Sequence, residues 1–394
     1  MGNKTRVLFL PRWYPHRYDP MPGLFIRRQA EALTPFCDVA VIYIHPDPEC
    51  PNKYEVEFSE ENEVRVLRVY YKVPATGYMP FSGIFRMFRF YRAAMKAVNS
   101  IRQFAPQVVH AHILTRMGFI AWRVSRKFRI PFLISEHWSR YFPENGTYTG
   151  CLRKLITRFI VKRAAIVIPV SENLKSAMLQ QRLLNSEYRV IPNVVDTSLF
   201  TVRPKPAANE KKTFLHISCF EDKSKNISGL LRVLRSLSLK RQDFECRFVG
   251  EGPDFIEMQD YARELGIFDT FAFFMGTLAP SSLAEYLGTA DFTVLSSHYE
   301  TFGTVVVESL SCGIPVVATS TGIAETLVNS RNGLLVHPGD EAALLLAVDQ
   351  MLDRSRSFDR MEVRTTLPDG FSADCVGKSI AEIYHMVVHS KRVS

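Results

Sequence analysis

Several familiar chemistries are excluded by what this 394-residue chain lacks. Its seven cysteines are an odd number, widely spaced and without a CxxC pair. That argues against a disulfide framework or a thiolate metal site and fits a reducing, cytoplasmic compartment. No run approaches the roughly 18 uncharged apolar residues of a membrane-spanning helix. The opening MGNKTRVLFL meets Pro11 and Arg12 too soon to serve as a signal peptide. Membrane contact is therefore expected to be peripheral, on the inner face of the cytoplasmic membrane. The ten histidines contain no HExxH, so no metal site is expected, and there is no GxSxG elbow and no GxxxxGKS/T loop. The first loop, PRWYPHRYDPMPG, also lacks GxGxxG spacing. Common hydrolases and P-loop enzymes thereby lose their ground.

What is present is an enzyme-sized, aromatic-rich chain: 46% hydrophobic and 23% charged, with 28 Phe and 15 Tyr. That composition fits packed domains rather than disorder. Forty-nine Lys and Arg against 40 Asp and Glu leave a charge of +9, which favours phosphate groups, acidic lipid surfaces or nucleic acid as partners. No nucleic-acid reader motif accompanies the charge, so no specific nucleic-acid partner is expected.

Short β-rich runs at Arg6–Leu10, Val39–Ile44, Val108–His110, Phe132–Ser135 and Ile166–Val170 alternate with helical spacing at Phe25–Leu33, Phe85–Ile101, Met117–Phe128 and Leu155–Ala164. After Ile191-Pro192-Asn193 and a polar stretch through Glu210, the alternation restarts. Strands are predicted at Thr213–Ser218, Cys246–Val249, Phe271–Phe274, Phe292–Leu295 and Pro315–Ala318, and helices at Ser228–Leu239, Asp254–Leu265, Ser281–Tyr286, Thr304–Ser311 and Glu341–Asp353. This pattern predicts two α/β units with mostly parallel sheets. Their expected extents are 1–195 and 196–371, with a helix in 372–394 that could return to the first domain. A cleft between two such domains is the default ligand site.

Candidate chemistry gathers at predicted element ends. In HYETFGTVVVES, Glu300 falls in a loop and Glu308 about one and a half turns into a helix. Gly303 would allow close backbone approach, and the amides near Thr304 could hold a phosphate. The same glutamates also suit a helix start and a solvated helix face. Thr319–Glu325, with Gly322, is a second strand-turn-helix break. Lys225 and Asn226 follow a strand, with Lys223 an alternative cation; Lys225 could offset diphosphate charge or simply be solvated. In the first half, His110 and His112 would share a strand face if the strand continues, and Glu136 and His137 end another strand. Between Phe81 and Phe104, Phe85, Phe88, Phe90 and Tyr91 interleave with Arg86, Arg89, Arg92, Lys96 and Arg102. That stretch suits either an anionic membrane or an ordinary helix with a packed face.

Taken together, Gly23, the HAH of His110–His112, Glu136-His137, the VSE of Val170–Glu172, the IPNVVD of Ile191–Asp196, Lys225-Asn226, the GEGP of Gly250–Pro253 and the ETFG leading to Glu308 resemble the retaining glycosyltransferases of family 4 over nearly the whole chain. The resemblance implies a GT-B fold, with two Rossmann-like α/β/α domains facing each other across a cleft. It implies a hexosyltransferase-like enzyme that takes a nucleoside diphosphate sugar as donor, needs no cofactor or metal, and uses a saccharide or lipid-linked acceptor in polysaccharide or glycolipid synthesis. Donor-binding positions carried over are Gly23, Lys225, Asn226, Glu300, Thr301, Phe302, Gly303, Thr304 and Glu308. Catalytic positions are His112, His137, Lys225 and Glu300. The chain departs from the family where many members have an arginine upstream of the lysine; here Ser218, Cys219 and Phe220 precede the acidic Glu221 and Asp222. Alternatives from other classes are a noncatalytic nucleotide-sugar-binding assembly subunit and a GT-B phosphorylase or epimerase.

Overall fold

The computed structural model describes residues 4–73, 82–204 and 211–390. Contacts divide the chain into two units: Met1–Tyr141 with Thr147–Val194 and Ser372–Ser394, and Phe142–Gly146 with Val195–Phe371. Part of the polar stretch expected to link the halves, residues 205–210, lies outside the described residues, as does Phe81.

In the first unit the described strands are β1 (Thr5–Pro11), β2 (Cys37–Asp47), β3 (Tyr54–Glu61), β4 (Val64–Lys72), β5 (Val108–His112), β6 (Phe132–Glu136) and β7 (Ile166–Pro169). They form one sheet in the order β3-β4-β2-β1-β5-β6-β7, parallel except for the antiparallel β3–β4 hairpin. Runs such as VLFL in β1 are buried on both faces, as a sheet covered by helices on both sides requires. The hairpin was not anticipated: β3 alternates charged and apolar residues, with Val56 and Phe58 exposed at the sheet edge. The last helix, Ala373–Ser390, packs on helix Leu24–Leu33 within this unit. A Cβ on Gly377 would lie 2.0 Å from the Ala32 carbonyl oxygen, so glycine is what permits the close approach.

The second unit carries β8 (Lys212–Ile217), β9 (Phe244–Val249), β10 (Ala272–Phe274), β11 (Phe292–Leu295), β12 (Val316–Thr319) and β13 (Gly333–Val336). They form an all-parallel sheet in the order β10-β9-β8-β11-β12-β13. Its core is phenylalanine-rich: Phe214 stacks on Phe292 at 4.6 Å and Phe248 on Phe274 at 4.9 Å. Phe214, Phe244, Phe248 and Phe292 are fully buried. These offset stacks add to the area each ring buries.

Candidate functional site

In each sheet the order in which strands are added reverses once at the centre, and there the loops beyond the strand C-termini splay apart to leave a crevice. In the second unit the chain leaves β8 for β9 on one side and returns to β11 on the other. The loops after β8 and β11 therefore line the crevice, and they contain Lys225 and Glu300.

Lys225 ends the short helix Asp222–Lys225. Its Nζ donates to Glu300 Oε1 at 2.6 Å, and Ser297 Oγ donates to the same oxygen at 2.8 Å. The side chains are only 15% and 13% exposed, so the pair is largely removed from water. Burial alone would pull the Lys225 ammonium down, but attraction to Glu300 outweighs it and the net shift is upward. The backbone is braced as well: Ser296 Oγ donates to the carbonyls of Lys225 at 2.9 Å and Asn226 at 3.2 Å. Asn226 is left-handed at φ 51°, and its amide lies over Gly229, where a Cβ would meet Oδ1 at 2.3 Å. Lys223 points elsewhere and donates to the Asn145 carbonyl at 3.0 Å. The acidic pair Glu221 and Asp222 that precedes Lys225 is structural. Asp222 accepts from Ser228 N at 2.8 Å and Ser228 Oγ at 2.7 Å, and Glu221 accepts from Ser224 Oγ at 2.6 Å.

Beyond Glu300, Thr301 is half-buried and Phe302 buried, and Gly303 (φ 84°) caps helix Thr304–Ser311. With three consecutive valines this is a poor helix by propensity, held by burial of Val306, Val307 and Leu310. Its first amides, at Thr304 and Val305, have no partner within the helix by geometry. Glu308 is 7% exposed, so the reading of it as a solvated helix residue is corrected: the polar face of this helix points inward. The second break supports the first. Ile323 N donates to the Phe302 carbonyl at 2.7 Å, and a Cβ on Gly322 would lie 2.5 Å from that oxygen and 2.9 Å from Glu300 Cβ. Gly322, singled out from the sequence as a turn, is thus a supporting residue, and so is Ser297, which sequence spacing did not reveal.

In the first unit, β5 continues through His112, and the rings of His110 and His112 lie 4.3 Å apart on one face. His110 is fully engaged, bonding Tyr384 Oη at 2.6 Å and Ser135 Oγ at 2.8 Å. His112 is wholly buried with neither ring nitrogen partnered. His137 bonds Asn193 Oδ1 through Nδ1 at 3.2 Å, while its Nε2 has no partner. Burial pushes His110 and His137 down to about 3, and His112 well below its usual value, so all three rings are neutral near pH 7. Glu136 is the anchor of this end. It accepts from the amides of Leu114, His137 and Trp138 and from Tyr141 Oη, at 2.9 to 3.1 Å, while burial raises its pKa. Gly23 (φ 72°) precedes helix Leu24–Leu33 and sits on the Trp13 backbone, where a Cβ would meet the carbonyl oxygen at 2.2 Å.

Among the described residues, one group offers three metal-donor atoms within 4.8 Å of one another: Asp47, Cys50 and Glu55. Arg17 already ion-pairs both carboxylates there. All seven cysteines are free. No described helix is long and apolar enough to cross a membrane.

Residues 23–199 match the family model Glycosyltransferase Family 4, and residues 200–365 match Glycosyl transferases group 1. The chain is 24% identical over 299 residues to a glycogen synthase of Mycobacterium tuberculosis, covering 74% of this chain and 71% of that protein. It is 25% identical over 317 residues to an alpha-monoglucosyldiacylglycerol synthase of Streptococcus pneumoniae, covering 75% and 69%. Its fold matches that of Anabaena Alr3699/HepE, solved in complex with UDP and glucose, with a TM-score of 0.73 at 18% identity, covering 97% and 99% of the two chains.

Proposed function

The chain belongs to the glycosyltransferase group 1 family, and on that premise we propose that it is a retaining enzyme. It would move a sugar from a nucleoside diphosphate sugar to a saccharide or lipid-linked acceptor, in the synthesis of cell-surface polysaccharide or glycolipid. The observation that carries this reading is the Lys225–Glu300 pair at the central crevice of the second unit, beside the glycine-capped start of helix Thr304–Ser311. A cation and a set of helix-end amides are what a departing diphosphate needs. Lys225, with the amides of Gly303, Thr304 and Val305, opposes the charge that builds on the leaving oxygen. Glu300 accepts from hydroxyls of the donor sugar, and buried Glu308 from those of the ribose. Asn226, Thr301 and Phe302 shape the donor pocket, and Gly23 supplies the first-unit phosphate loop. No further cofactor is required by this chemistry.

The first unit takes the acceptor. Its neutral histidines divide the work: the unpartnered Nε2 of His137 hydrogen-bonds a sugar hydroxyl, while wholly buried His112 fixes the ring stack behind it. In the retaining step the acceptor oxygen bonds to the anomeric carbon on the face from which diphosphate departs. The acceptor's proton passes to a leaving-group oxygen. The relative that makes a glucosyldiacylglycerol supports a lipid acceptor, as does helix Cys151–Val161. There Leu152 and Leu155 are about two-thirds exposed, beside the less exposed Ile156 and Phe159 and the basic Arg153, Lys154, Lys162 and Arg163. Such a face suits an anionic cytoplasmic leaflet. In the basic stretch anticipated further upstream, helix Ser82–Ser100, Met87 and Phe88 are exposed while Phe90 is buried; the side chains of Phe85 and Arg86 lie outside the described residues.

The test is proton NMR of the product formed from an α-linked donor. An α-linked product is expected, and a β-linked product would overturn retention.

A further inference from the structure

The first unit has its own central crevice, between β1 and β5, and three arginines stand on the loops around it. Arg12 directly follows β1, Arg116 lies four residues beyond β5, and Arg140 four beyond β6. The loops are tied together rather than loose. Arg12 N donates to the His112 carbonyl at 3.1 Å and Ile113 N to the Ser135 carbonyl at 2.8 Å, while the Glu136 carboxylate holds the amides of Leu114 and Trp138. Ile113 and Arg116 both take positive φ, 73° and 68°, backbone that costs energy for such residues and persists only where the surroundings fix it.

Two of the guanidinium groups collect around one indole, and the third, Arg116, lies over the Phe90 ring at 5.9 Å. Arg140 stacks on Trp138 at 3.5 Å and Arg12 lies 4.9 Å from the same ring, with Trp13 edge-on at 5.2 Å. Arg140 also donates to Thr115 Oγ1 at 3.1 Å, which aims it at the loop carrying Arg116. None of the three arginines has a carboxylate ion-pair partner among the described residues. The nearest acid, Glu136, already accepts four hydrogen bonds. Arg140 is only 8% exposed, yet its Nε has no acceptor, and neither does the buried Nε of Arg12. Arg116 is exposed, but Arg12 and Arg140, partly removed from water side by side without a counter-ion, are costly. Burial first, then Arg116 and Arg140, lowers Arg12 to about 10, which still leaves it a cation at neutral pH.

We infer that Arg12, Arg116 and Arg140 form a subsite for a phosphate group carried by the acceptor. The assignment of the bound phosphate to the acceptor rests on the proposed function, in which Lys225 and the helix-end amides of the other unit neutralise the donor diphosphate and the first unit offers it only the Gly23 loop. A phosphate offers the two charges and several acceptor oxygens that three guanidinium groups can share, and the forked geometry of arginine suits it. A sugar carboxylate is the competing anion with one charge fewer.

Two of the chain's three tryptophans, Trp13 and Trp138, border this subsite. Inorganic phosphate titrated into the full chain should therefore give a saturable change in tryptophan fluorescence. Arg116→Gln, at an exposed position that the fold does not need, should weaken the response at least tenfold, and Arg12→Gln should do the same. Lys225→Ala should leave it within twofold, and glucuronate should bind at least fivefold more weakly than phosphate. The subsite is overturned by no saturable response, by a response that survives both arginine changes, or by one that Lys225→Ala abolishes. Glucuronate binding more tightly than phosphate overturns the choice of anion. Calorimetry with UDP on the same proteins separates the two readings. A parent chain that binds no UDP, or UDP binding that Lys225→Ala leaves unchanged, with the phosphate response intact, would sink the donor assignment and leave the arginine subsite standing.

Discussion

Lys225 and Glu300 are 75 positions apart in sequence and 2.6 Å apart in space. The contact joins the segment after β8 to the loop after β11, so one ion pair bridges the two sides of the strand-order reversal in the second unit. Both groups are mostly buried, so losing one leaves the other without compensation. Lys225→Met is expected to cost about 2 kcal/mol of stability, a value discounted from fully buried pairs for the residual exposure. Glu300→Gln should cost less, because the amide can still accept from Ser297. In the double variant the costs should not add, and a urea-unfolding double-mutant cycle checks this. Strict additivity would mean the pair contributes nothing as a pair.

Four buried imidazoles make stability depend on acid. Burial lowers His110 and His137 to about 3 and His216 to about 4, with His112 lower than its usual value by the same cause. Each folded pKa lies below the unfolded value of roughly 6.5, so between those limits the unfolded chain binds protons that the folded chain does not. Stability is therefore full above pH 6.5 and falls as pH drops, by up to about 1.4 kcal/mol per pH unit for each ring. Glu136, raised by burial, works in the opposite sense but is one group against four. Thermal unfolding should show a marked fall in midpoint from pH 7 to pH 4.5, and a flat profile would contradict the buried neutral rings.

The outward apolar face of helix Cys151–Val161 predicts a membrane phenotype. Leu155→Asp places a charge where the proposed contact enters the lipid, at a position that is 67% exposed. Co-sedimentation with vesicles rich in anionic lipid should drop at least fivefold, with no change in unfolding midpoint. Equal sedimentation of the variant and the parent would remove this helix from the contact.

Much of the fold was legible because parallel strands buried on both faces read as apolar runs, and eleven-residue or longer gaps with helical spacing lay between them. What escaped did so for local reasons. The β3–β4 hairpin turns at Asn62 and Glu63, both at positive φ, without the glycine that usually marks such a turn. β3 is also an edge strand with none of its residues buried, so hydrophobicity gave no signal. At the candidate site, the sequence brought Lys225 and Glu300 to facing strand ends but not into contact, because the contact depends on strand order. Gly322 looked like an ordinary turn residue until the Phe302 carbonyl was found against its Cα. Arg12, Arg116 and Arg140 were hidden in the same way, spread across three segments that only the sheet gathers.

The most direct test of the donor site is saturation-transfer NMR of the full chain with UDP-, GDP- and ADP-sugars, repeated on Glu308→Ala. The account predicts that one nucleotide sugar binds selectively and that its binding weakens at least tenfold in the variant. Selective binding unchanged by Glu308→Ala, or no binding of any donor by folded protein, would contradict it.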